Sequence, residues 1–187
     1  LNRYRPDLPA WLDALLAKYA GEWKVAVKFR MAEGQPMADG EADCRAEMVF
    51  DGRFLKKSYK SEMMGQPFFV EEVMGFDGLR GQFFEFTTES VSTSYMMVSG
   101  RISADKKEVR MYGQQPDPMQ GGKMVMMKIV YRFVSDDEYV VEWWEPTKDG
   151  KEEMAVQLTH TRKKAAVSYG LWHTSFPYEI ARRRIRW

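Results

Sequence analysis

Three polar side chains that share the apolar faces of two neighbouring predicted strands are the first candidates for chemistry. Lys57 and Tyr59 lie on the apolar face of one strand, and Glu72 lies on that of the next. If the hairpin pairs Met63 with Phe68, Tyr59 lies opposite Glu72 and Lys57 lies one diagonal step away. Such a set could orient a polar group of a ligand or hold a proton at a shifted pKa. The alternative is an interior ion pair with a structural role.

His160 is the third candidate for acid–base chemistry, beside Glu72 and Tyr59. It shares the parity of Met154 and Leu158 in the last predicted strand, so its side chain is expected to point inward. These three residues are the candidate catalytic group. The alternative is that His160 is a hydrogen-bonded core residue with no role in catalysis or binding.

Metal and cofactor sites are not indicated by the histidines and cysteine. Cys44 is the single cysteine, and His160 and His173 are far apart in the chain, so we expect no metal site. A histidine-ligated haem needs only one axial ligand and stays open as an alternative to the absence of a cofactor. The sequence also lacks a Gly-x-Ser-x-Gly nucleophile elbow and a phosphate-binding loop.

The elements that must position these residues are strands, since side chains alternate with a period of two along most of the chain. The alternating runs lie at about 22–31, 42–50, 53–63, 68–76, 79–88, 91–98, 107–112, 123–134, 138–145 and 152–162. Asp-Gly pairs at 51–52, 77–78 and 149–150 predict tight type I′ hairpins between them. Links this short force antiparallel pairing, and closure removes the two exposed edges of such a sheet. We therefore predict an all-β fold, an antiparallel up-and-down barrel of eight to ten strands.

The two ends of the chain differ from this pattern. A helix is predicted at about 8–19, capped by Asp7 and stopped by Gly21, and its apolar stripe is expected to close one barrel mouth. Alternation ends after residue 164, and five of the last six residues are arginine or tryptophan. We interpret 1–164 as one domain and 165–187 as a basic extension.

Composition narrows the class of partner. The 187 residues carry 28 Lys and Arg against 27 Asp and Glu, a net charge of +1, which argues against a dedicated nucleic-acid binder. No apolar run is long enough for a transmembrane helix, so a soluble protein is expected. Because the chain begins at Leu1, a cytoplasmic location and export after leader removal both stay open.

Several short motifs resemble a known family. Gly21-Glu22-Trp23 resembles the Gly-x-Trp signature of lipocalins and other calycin barrels. The order of the motifs that follow is similar to that of a bacterial lipocalin-like family, domain of unknown function 1579. These motifs are Asp51-Gly52-Arg53-Phe54-Leu55, Gly65-Gln66-Pro67-Phe68, Met74-Gly75-Phe76-Asp77 and Thr159-His160-Thr161-Arg162-Lys163. The family implies a fold but no established activity. In calycin barrels a basic residue of the last strand covers the first-strand tryptophan, which makes Arg162 the structural partner expected for Trp23.

Binding of a small apolar or amphipathic molecule inside the barrel is the function that we predict. Barrels of this size hold one small ligand, and the predicted interior is rich in aromatic residues and methionines. The candidate ligand-binding residues are Lys57, Tyr59, Glu72, Met74, Tyr131, Trp143 and His160. A cofactor-independent isomerase, cyclase or hydrolase is one alternative. A filled barrel that acts through its surface, where outward methionines and tryptophans could form a homo-oligomer interface, is the other.

Overall fold

The computed structural model describes residues 10–117 and 121–164. One helix and ten strands follow one another along the chain. Their bounds are α1 Ala10–Tyr19, β1 Gly21–Phe29, β2 Ala38–Val49, β3 Phe54–Met63, β4 Gln66–Asp77, β5 Gln82–Glu89, β6 Tyr95–Ile102, β7 Glu108–Asp117, β8 Lys123–Ser135, β9 Glu138–Pro146 and β10 Glu152–Arg162. The predicted extension 165–187 lies outside the described residues.

The strands form a closed antiparallel barrel, as the alternation predicts. Each strand pairs with the next along the chain, and β1 closes the barrel by pairing with β10. The strand number is ten, the upper value of the predicted range. Because successive side chains alternate between the two faces of a strand, every second residue points into the barrel. These inward positions form the core.

Helix α1 lies across one end of the barrel, which we call the closed end. Leu12, Leu16 and Tyr19 of the helix are buried in the same core as the strand side chains. The Tyr19 ring packs edge-on against Tyr131 and Tyr139, with ring centroids 5.9 and 4.9 Å apart. The apolar stripe of the helix therefore closes one mouth of the barrel, as predicted. Among the described residues, no helix has the length and apolar character needed to cross a membrane.

The hairpin between β3 and β4 has a different register from the predicted one. Met63 pairs with Gln66 and not with Phe68, so the loop is only Met64 and Gly65. Both loop residues have positive φ, 52° and 76°, as a type I′ turn requires. The register shift places Lys57 directly opposite Glu72 and moves Tyr59 opposite Val70. Because the shift is an even number of residues, the inward face is unchanged.

A bulge in β10 corrects a second prediction. Met154 pairs with Trp144, whereas Val156 pairs with Trp143, so Ala155 is the additional residue. A bulge of one residue reverses which face the preceding side chain occupies. Met154 therefore lies outside with Trp144, and it does not share the inward face of His160.

Candidate binding site in the barrel interior

A buried group of ionisable side chains occupies the middle of the barrel. The ammonium group of Lys57 lies 2.5 Å from Glu72 Oε2 and 2.8 Å from Glu85 Oε2. It also donates a hydrogen bond of 2.5 Å to Tyr131 Oη, which in turn donates to Glu85 Oε2. Lys57 and Glu85 are 0% exposed and Glu72 is 3% exposed. We call Lys57, Glu72, Glu85 and Tyr131 the buried cluster.

The buried cluster holds one lysine and two carboxylates, and this imbalance shifts their protonation. Burial and the charge of Glu85 raise the pKa of Glu72, while Lys57 acts to lower it. Burial lowers the pKa of Lys57, but the two carboxylates more than offset this and raise the pKa overall. Lys57 therefore stays charged, and Glu72 is the member that can change its charge near neutral pH.

Glu85 and Thr87 belong to the interior but are absent from the predicted site. They lie on the inward face of β5 with Phe83, and Thr87 pairs with Glu72 across the β4–β5 ladder. Glu85 Oε1 and Thr87 Oγ1 are buried, and neither has a hydrogen-bond partner among the described residues. Buried polar atoms without a partner are uncommon and indicate a place where another molecule can bind.

We call the barrel end opposite α1 the open mouth. Most of its inward side chains are apolar and only partly buried, and Gln115 and Glu145, which are hydrogen-bonded to each other, share this side. The apolar side chains come from five strands: Val27, Phe29, Phe68, Val70, Val125, Trp143, Val156 and Leu158. Glu89, at the end of β5, pairs with Val70 and shares this side of the strand. The mouth therefore combines a largely apolar wall with the carboxylates of Glu89 and Glu145.

The predicted site residues separate into two groups. Tyr59, Glu72 and Trp143 face the mouth or the layer below it, whereas Met74 pairs with Leu55 nearer the closed end. Tyr131 also belongs to the deeper layer, because it contacts Lys57 and Glu85 as well as Tyr19 of the helix. Their roles in binding a ligand stay predictions.

His160 lies toward the closed end, inside a group of aromatic rings. Its Nε2 is 3.1 Å from Tyr59 Oη, and its ring stacks on Tyr139 with centroids 3.9 Å apart. Burial, and then the positive charge of Lys57, hold the pKa of His160 well below its ordinary value. The imidazole is therefore neutral at pH 7, in the packed environment expected of a core histidine.

His160 is expected to make the protein less stable in acid. Because the pKa is lowered only in the folded state, the unfolded chain alone binds this proton as the pH falls below about 6.5. Each further pH unit then removes up to about 1.4 kcal/mol of stability. Urea unfolding of the wild type and of His160→Gln should show their difference in free energy of unfolding shrinking by about 2 kcal/mol between pH 7.5 and pH 5. Parallel pH profiles would contradict this, because they would show that His160 binds its proton equally well in the folded and the unfolded protein.

The closed end contains the predicted contact between Arg162 and Trp23. The guanidinium carbon lies 4.1 Å from the centre of the Trp23 ring. Arg162 also donates hydrogen bonds to the carbonyl oxygens of Lys18, Ala20 and Asp136. A Cβ at Gly21, whose φ is +134°, would lie 2.5 Å from Arg162 Nη1. The guanidinium therefore explains why glycine precedes the tryptophan by two residues.

A small cleft lies at the rim of the open mouth, outside the buried cluster. It lies between the loops after β1 and β9, where Arg30, Glu145 and Glu153 contribute to its lining, and its volume is about 90 Å³. Ligand sites are usually about 300–1,000 Å³. The cleft is too small to be the ligand site. Within the described residues, no three histidine, cysteine or acidic side chains are grouped to hold a metal ion.

One solved structure that is similar to this chain supports the barrel fold. The chain is similar to Rv2717c from M. tuberculosis, at 13% sequence identity and a TM-score of 0.59, over 84% of this chain and 100% of that one. It is also similar to a redesigned beta barrel, at 10% identity and a TM-score of 0.40, over 80% of this chain and 95% of that one. No curated protein matches the sequence.

The family resemblance that the motifs suggest is supported by a family model that matches the helix and the whole barrel. The model of the family described as "Protein of unknown function (DUF1579)" matches residues 10–162. This range begins with α1 and ends with β10 at Arg162. The chain therefore belongs to the DUF1579 family.

Proposed function

We propose that the barrel binds a small amphipathic molecule through its open mouth. The hydrocarbon part of the ligand contacts the apolar wall of the mouth, and its polar part reaches Thr87 and Glu72. The observation that carries this proposal is that an apolar layer at the mouth lies above a polar layer in the barrel interior. Partly exposed apolar side chains surround the opening, and below them lie buried polar atoms that lack partners.

The apolar wall supports a hydrocarbon ligand because its side chains point inward and are still partly exposed. Trp143 and Val70 pack against the buried core and are still partly exposed. Covering such surface with a ligand contributes about 25 cal/mol per Å² of apolar area removed from water. A barrel of this strand number also has room for one small molecule.

The polar layer favours binding over acid–base catalysis. Among the candidate catalytic residues, His160 is 0% exposed and its Nε2 faces Tyr59. Lys57 and Glu85 are paired with each other in the buried cluster. Glu72 is also paired with Lys57 and is 3% exposed, and it lies opposite Thr87 below the mouth. One such carboxylate is enough to orient a ligand and is fewer groups than a general acid and base require.

Blocking the mouth is expected to abolish binding of a simple amphiphile. Val70→Trp adds bulk on the inward face of β4, whereas Phe69→Trp changes the neighbouring outward side chain, which is 47% exposed. Calorimetric titration with 1-octylamine, 1-octanol and octanoate at pH 7.5 should detect one site for at least one of them in the wild type. We expect Val70→Trp to weaken that site by at least tenfold and Phe69→Trp to leave it within about twofold.

Circular dichroism and thermal unfolding check that both variants keep the barrel. The proposal is wrong if none of the three amphiphiles binds the wild type. It is equally wrong if binding survives Val70→Trp in a folded barrel, because the ligand would then occupy another surface.

A further inference from the structure

We infer that the polar group of this ligand is a cation of the protonated amine type. The inference rests on the proposed function and specifies the chemistry of the same site. It follows from three features of the described residues: the balance of charges, the unused hydrogen-bonding atoms, and the position of Glu89 at the mouth.

The charges on the inward faces of β3, β4 and β5 do not balance. Glu72 and Glu85 share the single cation Lys57, and the structure describes no second cation paired with either. Glu89 lies on the same inward side of β5, nearer the mouth. Partial burial raises the pKa of its carboxyl, and no described basic residue acts to lower this pKa. A buried charge is stable only when it is paired, so a further positive charge is favoured here.

The hydrogen-bonding atoms are also unbalanced, because acceptor oxygens outnumber the N–H donors available to them. An ammonium group has three N–H donors, and Lys57 already has three oxygen atoms within 2.8 Å, from Glu72, Glu85 and Tyr131. The atoms without partners next to it are oxygens, Glu85 Oε1 and Thr87 Oγ1. A ligand that brings N–H donors satisfies these oxygens. A carboxylate or phosphate would bring further acceptors, and among these atoms only the hydroxyl of Thr87 has a donor to spare for them.

The position of these oxygens indicates a path from the mouth. Glu89, Thr87 and Glu85 follow one another at every second residue of β5, from the open mouth toward the buried cluster. Thr87 is 6% exposed and lies opposite Glu72, which is 3% exposed. An amine that enters past Glu89 therefore meets Thr87 and Glu72 before it reaches Glu85. Carboxylates along an apolar opening also attract a cation from solution.

Affinity for three molecules that share an eight-carbon chain tests the inference. At pH 7.5, calorimetric titration of the whole chain should give at least tenfold tighter binding for 1-octylamine than for 1-octanol, and weaker binding still for octanoate. Glu72→Gln should reduce the affinity for 1-octylamine by at least tenfold and leave that for 1-octanol within about threefold. Glu71→Gln, on the outer face of the same strand, is the matched control and should change neither.

Glu89→Gln provides a second variant that leaves the buried cluster intact. We expect it to weaken 1-octylamine binding by about threefold to tenfold at low ionic strength, with a smaller effect at 0.5 M salt, because exposed charges are screened. The inference is overturned if 1-octanol or octanoate binds as tightly as 1-octylamine, although the proposed amphiphile site would then stand. If none of the three binds, the proposed function fails and this inference fails with it.

Discussion

Lys57→Met is expected to lower the free energy of unfolding by about 3–5 kcal/mol, because it leaves two buried carboxylates without their cation. The ammonium group has no exposed surface, and its partners Glu72 and Glu85 are equally enclosed. Methionine preserves the volume of the lysine stem, so the loss of stability measures mainly the missing charge pairing and only to a smaller extent a change in packing. Urea unfolding at pH 8 measures it, and the loss should be smaller at pH 5, where unpaired carboxylates take up protons.

Two further variants separate charge from packing. Lys56→Met changes the neighbouring lysine, which faces outward and pairs with Glu71, and it should change stability by less than about 1 kcal/mol. Adding Glu85→Gln to Lys57→Met removes one of the stranded charges and should recover part of the loss. If Lys57→Met is as stable as Lys56→Met at pH 8, Lys57 is not buried in an ion pair.

Arg162→Ala is expected to lower the free energy of unfolding by about 2–4 kcal/mol, because one guanidinium makes several contacts at the closed end. It covers the Trp23 ring and donates hydrogen bonds to carbonyl oxygens at the end of α1 and in the β8–β9 turn. The variant loses all of these and opens the space beside Gly21. Arg162→Lys should recover less than half of the loss, since an ammonium group lacks the planar fork that reaches several carbonyls.

Lys163→Ala is the matched control, because this neighbouring residue forms exposed ion pairs with Glu22 and Asp43. It should change stability by less than about 1 kcal/mol. Amphiphile affinity should stay within about twofold of the wild type in all three variants, since the proposed site lies toward the opposite mouth. Equal stability of Arg162→Ala and Lys163→Ala would contradict a structural role for the guanidinium.

The sequence predicts the barrel well because the alternation of side chains is strong in most strands. Loop lengths were harder to predict. The Asp-Gly pairs at 51–52, 77–78 and 149–150 lie in turns, but the loops there are longer than the two residues expected. One of the two-residue loops is Met64-Gly65, in which a methionine adopts a positive φ that its residue type does not suggest.

The site was predicted in part. The inward faces of β3 and β4 follow from their alternation, so Lys57 and Glu72 are in the predicted set. Glu85 is absent because β5 has phenylalanines on both faces, and Phe84 and Phe86 on the outer side conceal the inward face. Phe83 pairs with the inward residue Phe76, and this pairing determines which face of β5 points into the barrel. The pairing in turn depends on a four-residue loop between β4 and β5 that the sequence does not specify.

The position of a bound amphiphile tests the central claim most directly. In an amide correlation spectrum of the isotope-labelled protein, saturating 1-octylamine should shift the signals of inward positions at the mouth and in the layer below, such as Val70, Glu72 and Thr87. Signals of the outer face, such as Phe69 and Met97, should move little. Shifts confined to the outer face, or no shifts at all, would contradict a ligand site inside the barrel.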